Sequence, residues 1–139
     1  MMKDRDQILM SLRPTISRID LEKVSQPEES FQNRTLRPIL KLQQNVIIEL
    51  VKSYLCQHKA KYAVMPLHEK IKLIESVLQK DLKLKSTLQG IVIGQFTLLE
   101  LKEFNSNSQN LSKRIAHLLQ QRIIDSIMLL DDLQHWFAV

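Results

Sequence analysis

Two glycines and four prolines in 139 residues leave this chain few places to turn. A many-stranded sheet needs a turn roughly every 8–12 residues, so that class is excluded at the outset. Leu, Ile, Lys, Gln and Glu dominate the composition, and all but Ile are strong helix formers. The expected class is all-α, a compact bundle of about five helices in a single domain. A chain of 139 residues buries roughly two thirds of its unfolded surface, enough for one core without metal or disulfide support.

The helices are read from apolar spacing and end signals. Ile8, Leu9 and Leu12 form an amphipathic turn or two that Arg13-Pro14 ends, because a residue before proline avoids the helical region. The rest of residues 1–24 either lies against the core or makes an N-terminal arm that docks on a partner. Ser25-Gln26-Pro27-Glu28 reads as a capping box with proline in the first turn. A helix starting there has Pro38 in its interior and must bend near it, since the ring displaces the Arg34 carbonyl. A fresh start at Thr35 is the alternative. Beyond Pro38, apolar residues from Ile39 to Leu55 cover more than half the helix circumference.

Lys59 to Met65 reads as a loop, and Pro66 opens a helix with Ile71, Ile74, Val77 and Leu78 inside. Asp81 caps a helix running to about Gln95. Gly90 and Gly94 share a face of it and are expected to admit a neighbouring backbone; a short strand over Ile91-Val92-Ile93 is the rival. Thr97-Leu98-Leu99-Glu100 is a second capping box. Asn105 to Asn110 reads as the clearest loop, followed by a last helix from Leu111 to Leu130 that is again broadly apolar.

Catalytic and metal signals are sparse. His58, His68, His117 and His135 pair with no other ligand type in a recognisable spacing, so no metal and no cofactor are expected. Cys56 is the sole cysteine, which suits a reducing cytoplasmic setting, and it is expected to be a packed, inert thiol. Met1 to Asp6 carries both charge signs without an apolar stretch, so no secretory signal is expected, and no run reaches the roughly 18 apolar residues of a membrane span. The net charge of +5 is uneven: residues 34–122 hold 15 Lys and Arg against 6 Asp and Glu. Arg34, Arg37 and Lys41 line one helical face, and Lys80, Lys83 and Lys85 form a second basic cluster; both are candidate anion sites. A Lys-rich soluble surface is the plainer reading.

Four strings carry a resemblance: Leu12-Arg13-Pro14, Phe31 through Gln43, Gly90 through Thr97, and Lys113-Arg114-Ile115. Together they resemble a family of small all-helical bacterial proteins, some of which carry the label glyoxalase. The resemblance implies a bacterial cytoplasmic protein and lends no catalytic residues. Glyoxalase chemistry of the isomerase type uses paired βαβββ modules with a His/Glu metal site, and the hydrolase type a dense His/Asp motif; this sequence has neither. The sequence leaves an enzyme open but favours a non-enzymatic interaction protein, a homodimer or the binder of a helical partner, because two helices are broader in apolar surface than one core contact requires. An anion or nucleic-acid binder is the alternative.

Overall fold

Helix dominates because every long segment carries apolar residues three and four apart and few breakers. The structure, a computed structural model, describes residues 4–15, 26–58 and 61–130. Among them lie helices α1 (Arg5–Leu12), α2 (Pro27–Phe31), α3 (Arg37–His58), α4 (Leu67–Lys80), α5 (Leu82–Ile93), α6 (Leu98–Ser106), α7 (Ser108–Asp125) and α8 (Ile127–Leu130). A π segment (Gln32–Leu36) joins α2 to α3, and a 3-10 turn spans Tyr62–Val64. No strand occurs among the described residues. The helices outnumber the five or so expected because several long runs are interrupted by single residues.

The run through Pro38 is one such case. The chain stays helical from Pro27 to His58, and the irregularity sits just ahead of the proline. Arg37 donates its N–H to the Gln32 carbonyl five residues back, which is π rather than α bonding. Pro38 offers no N–H, and its ring crowds the carbonyl four residues earlier in an unbroken α-helix. The wider π turn absorbs that conflict, so no fresh start at Thr35 is needed. The start differs from expectation: Gln26 is the N-cap, without a side-chain cap bond, and Pro27 is the first helical residue. Ser25 lies outside the described residues.

Two compact units divide the chain. The first comprises residues 1–43 and 89–115. Its core joins Phe31, Leu36, Ile39, Leu40, Val92, Phe96, Phe104, Leu111 and Ile115. Phe31 meets Phe96 edge-on with ring centres 5.5 Å apart, and Phe96 lies 5.6 Å from Phe104. The expected Asn105–Asn110 loop shrinks to Asn107 alone. Phe104 and Leu111 are buried on either side of it, and the Asn107 amide donates to Glu28 at 3.0 Å, so little is left for a loop to span.

The second unit comprises residues 44–88 and 116–139. Its core includes Ile47, Ile48, Val51 and Leu55 of α3, Ile74 and Val77 of α4, Leu84 and Leu88 of α5, and Leu118, Leu119 and Ile123 of α7. Tyr62 is buried beneath the Lys70 ammonium, 5.0 Å from the ring centre. Asp81 caps α5 as expected, accepting the Leu84 N–H at 3.0 Å, and also accepts the Tyr54 hydroxyl at 2.6 Å. That hydrogen bond, with burial and the Asp81 charge, holds the Tyr54 phenol above its ordinary value. The last helix breaks at Ser126, and Asp131-Asp132 lies outside the described residues.

The breadth of α3 has an internal explanation. Ile39 and Leu40 serve the first core, while Ile47, Ile48, Val51 and Leu55 serve the second. One helix feeding two cores must be apolar over more of its circumference than a helix feeding one. Of its aliphatic and aromatic residues only Val46 is exposed.

Asp81→Ala removes a helix cap and the Tyr54 acceptor together and is expected to cost about 1–3 kcal/mol, against about 1 kcal/mol for Tyr54→Phe. Urea denaturation of both single variants and the double variant checks this, since the two losses should add to less than their sum.

Candidate functional site

Helix α1 is the least conventional element of the first unit. Asp4 and Gln7 close a capping box at its start, with the Gln7 N–H 2.8 Å from Asp4 Oδ1. Arg13 leaves the helix in an extended conformation ahead of Pro14, as the dipeptide requires. Eight residues are too few for an isolated helix to persist in water. Yet no side chain of α1 is buried.

Polar contacts hold it instead, and they converge on residues 94–100. Arg5 donates to the carbonyls of Gly94 and Phe96, both at 2.9 Å. Arg13 Nη2 donates to the Gln95 carbonyl at 2.8 Å. These carbonyls follow the C-terminal end of α5, where acceptors are left over and positive charge is favoured. Asp6 accepts the Leu98 N–H at 3.1 Å, an orphan donor at the start of α6 where negative charge is favoured. So α1 acts as an external cap for two helix ends at once, with the sign of each charge matched to its end.

The strongest contact is buried. Arg13 forks onto Glu100, Nη1 to Oε2 at 2.7 Å and Nη2 to Oε1 at 2.6 Å, with both side chains almost inaccessible. Thr35 donates its hydroxyl to Glu100 Oε2 at 2.9 Å, and the Thr97 N–H reaches Oε1 at 2.9 Å. The Thr97 capping box is therefore present, and Glu100 belongs to a wider network. Burial pushes the Glu100 carboxyl up, but the bonds from Arg13, Thr97 and Thr35 and the Arg13 charge outweigh it, leaving the carboxyl below its ordinary value.

Outward, α1 presents Ile8, Met10 and Leu12 at 45%, 53% and 56% exposure, and the adjoining start of α6 presents Leu98 and Leu99 at 63% and 77%. The Asp6–Leu98 bond ties these two elements together.

The basic residues picked from sequence are placed differently from expectation. Arg34 is exposed but engaged, its Nη2 lying 3.0 and 3.1 Å from the Glu103 oxygens. Arg37 is half-buried and donates Nε to Asn33 Oδ1 at 2.9 Å. Arg34 belongs to the π segment, while Arg37 and Lys41 lie one turn apart in α3. Lys41 is exposed in the first unit; Lys80 and Lys83 are exposed and Lys85 half-buried in the second. For Gly90 and Gly94, expected to admit a neighbouring backbone, the surroundings are as follows. A Cβ on Gly90 would meet nothing within 4 Å among the described residues, and one on Gly94 would meet the Gly90 carbonyl of its own turn at 3.1 Å. Cys56 is exposed rather than packed. It follows the buried Leu55, and one residue along a helix turns the side chain away from the core.

His68 and His117 are exposed, and His135 lies outside the described residues. Among the described residues no cluster of three or more His, Cys, Asp or Glu could hold a metal, and no helix is long and apolar enough to cross a membrane. Comparison with protein-family models, curated proteins and solved structures finds no match to this chain.

Sequence reasoning missed Arg13, whose partner is 87 positions away; its own signal was only a basic residue before Pro14. Arg13→Ala leaves Glu100 buried without its counter-charge and is expected to cost about 3–5 kcal/mol by urea denaturation. The acid response follows from the sign of the Glu100 shift. Its stabilisation is complete above the ordinary carboxyl value of 4.5 and is lost as pH falls below it toward the lowered folded value. Denaturation midpoints followed into acid should fall over that window, and Glu100→Gln should flatten the fall.

Proposed function

We propose that the chain is a non-enzymatic interaction module that associates with a second copy of itself through the apolar side chains of α1 and the start of α6. The observation that carries this reading is a short helix with no fully buried side chain that leaves Ile8, Met10 and Leu12 about half exposed and is tied through Asp6 to the start of α6, where Leu98 and Leu99 are exposed. Single exposed apolar residues are ordinary on any surface. A group of them on two bonded elements favours docking.

The engagement of the polar groups points the same way. Glu100, the most buried carboxylate among the described residues of this unit, spends its acceptor positions on Arg13, Thr35 and Thr97, which suits a structural tie better than proton transfer. Arg34 and Arg37 are committed to Glu103 and Asn33, which weakens the anion-binding alternative at that face. The broad faces of α3 and α7, which first suggested self-association, are largely consumed within one copy, so the docking surface moves to α1 and α6.

Light scattering from low micromolar to submillimolar concentration tests the proposal. The expected result is a mass rising from 16.3 kDa toward twice that value, with the Leu12→Glu/Leu99→Glu variant staying at one copy. A wild-type chain that keeps the single-copy mass throughout overturns self-association.

A further inference from the structure

We infer that α1 is an acid-operated latch: protonation of Glu100 frees Arg13 and releases α1 from residues 94–100 while the core of the first unit stays folded. The inference concerns the docking of α1 within one copy and does not depend on self-association.

The bonds that hold α1 differ in burial. Arg5 and Asp6 keep 55% and 32% of their side chains exposed, so their bonds to the Gly94 and Phe96 carbonyls and the Leu98 N–H compete with water. Arg13 and Glu100 keep only 5% and 7%, and their fork is the buried attachment. Among the described residues Arg13 is also the charged group bonded to Glu100. The other partners, the Thr35 hydroxyl from the π segment and the Thr97 N–H at the start of α6, are neutral. A proton on Glu100 therefore strips a buried guanidinium of its counter-charge, and that guanidinium then gains by moving into water. Neutral Glu100 can stay where it is, still accepting from Thr35 and Thr97.

The apolar cover over α1 is partial. Leu9 is half-buried, and Ile8, Met10 and Leu12 keep about half of their surface exposed. None of these side chains is in the core, which joins Phe31, Phe96, Phe104, Leu111 and Ile115 without them. Eight residues are too few to stay helical once undocked, so release and melting of α1 are one event.

Release takes up one proton, which fixes its pH window. The docked Glu100 carboxyl lies below its ordinary value of 4.5 and returns toward it when Arg13 leaves. The pair therefore supports docking fully above 4.5, and the support is lost as pH falls through the lowered value. Across that window one proton raises the ratio of released to docked α1 by up to about tenfold per pH unit. Release also breaks the Asp6–Leu98 bond, so Ile8, Met10 and Leu12 are no longer tied to Leu98 and Leu99. The apolar group on the two elements is thus assembled only while the latch is shut.

Hydrogen exchange followed by mass spectrometry from pH 7 to pH 3, corrected for the intrinsic pH dependence of exchange, tests the latch. Peptides covering residues 5–12 are expected to lose protection below pH 4.5 while those covering 36–40 and 111–115 keep theirs. Loss of protection in all three together, or none in α1 down to pH 3, overturns the inference. Asp4, which caps α1, and Asp6 also titrate in acid, so two variants assign the trigger. Glu100→Gln is expected to leave α1 unprotected at every pH; a Glu100→Gln chain that keeps the acid response overturns the latch. Asp4→Asn/Asp6→Asn, at two sites that are not buried, is expected to retain the response, and its disappearance there overturns the role of Glu100 even if Glu100→Gln fails to fold.

Discussion

A buried carboxylate is costly unless its charge and lone pairs are answered, and Glu100 is answered from three directions. Arg13 supplies the counter-charge from the end of α1, Thr35 a hydroxyl from the π segment, and Thr97 a backbone donor from its own helix start. These groups lie far apart in the chain, so the first unit is fully stable only when all of them arrive together. The network helps explain why an eight-residue helix with no fully buried side chain is nonetheless fixed: Arg13, just past its end, reaches the buried Glu100 carboxylate.

The π segment is what lets Thr35 take part. Asn33, Thr35 and Leu36 of this segment are all buried. Pro38 stands just beyond and forbids the bond that would tighten the turn. A residue chosen for its inability to donate thus shapes a wider turn upstream, and that turn aims a hydroxyl at Glu100. The same widening separates Arg34 from Arg37, sending one to Glu103 and leaving the other to Asn33.

What the sequence made legible was local. The helical class, the Thr97 box, the Asp81 cap and the stop at Arg13-Pro14 all rest on residues within four positions of each other, where spacing alone carries the physics. The failures share a different cause. Asn105 to Asn110 has loop composition, yet its helix-forming penalties are only a few tenths of a kcal/mol per residue. Burial of Phe104 and Leu111 and the bond from Asn107 to Glu28 override them. Gly90 and Gly94 were read from a spacing that marks close packing only if a neighbour is present, and the sequence cannot show the neighbour. Arg13 and Glu100 each looked like end signals, and nothing local announces that they are partners.

The way α1 is held also bears on what it can do. Apolar docking is strong but unspecific, and a helix buried by its leucines would leave a cavity and an exposed face on departure. A helix tied by matched charges to two helix ends has its position and direction set by the bonds themselves. The division is therefore chemical: charge and hydrogen bonding direct where α1 sits, and Ile8, Met10 and Leu12 keep about half of their surface exposed.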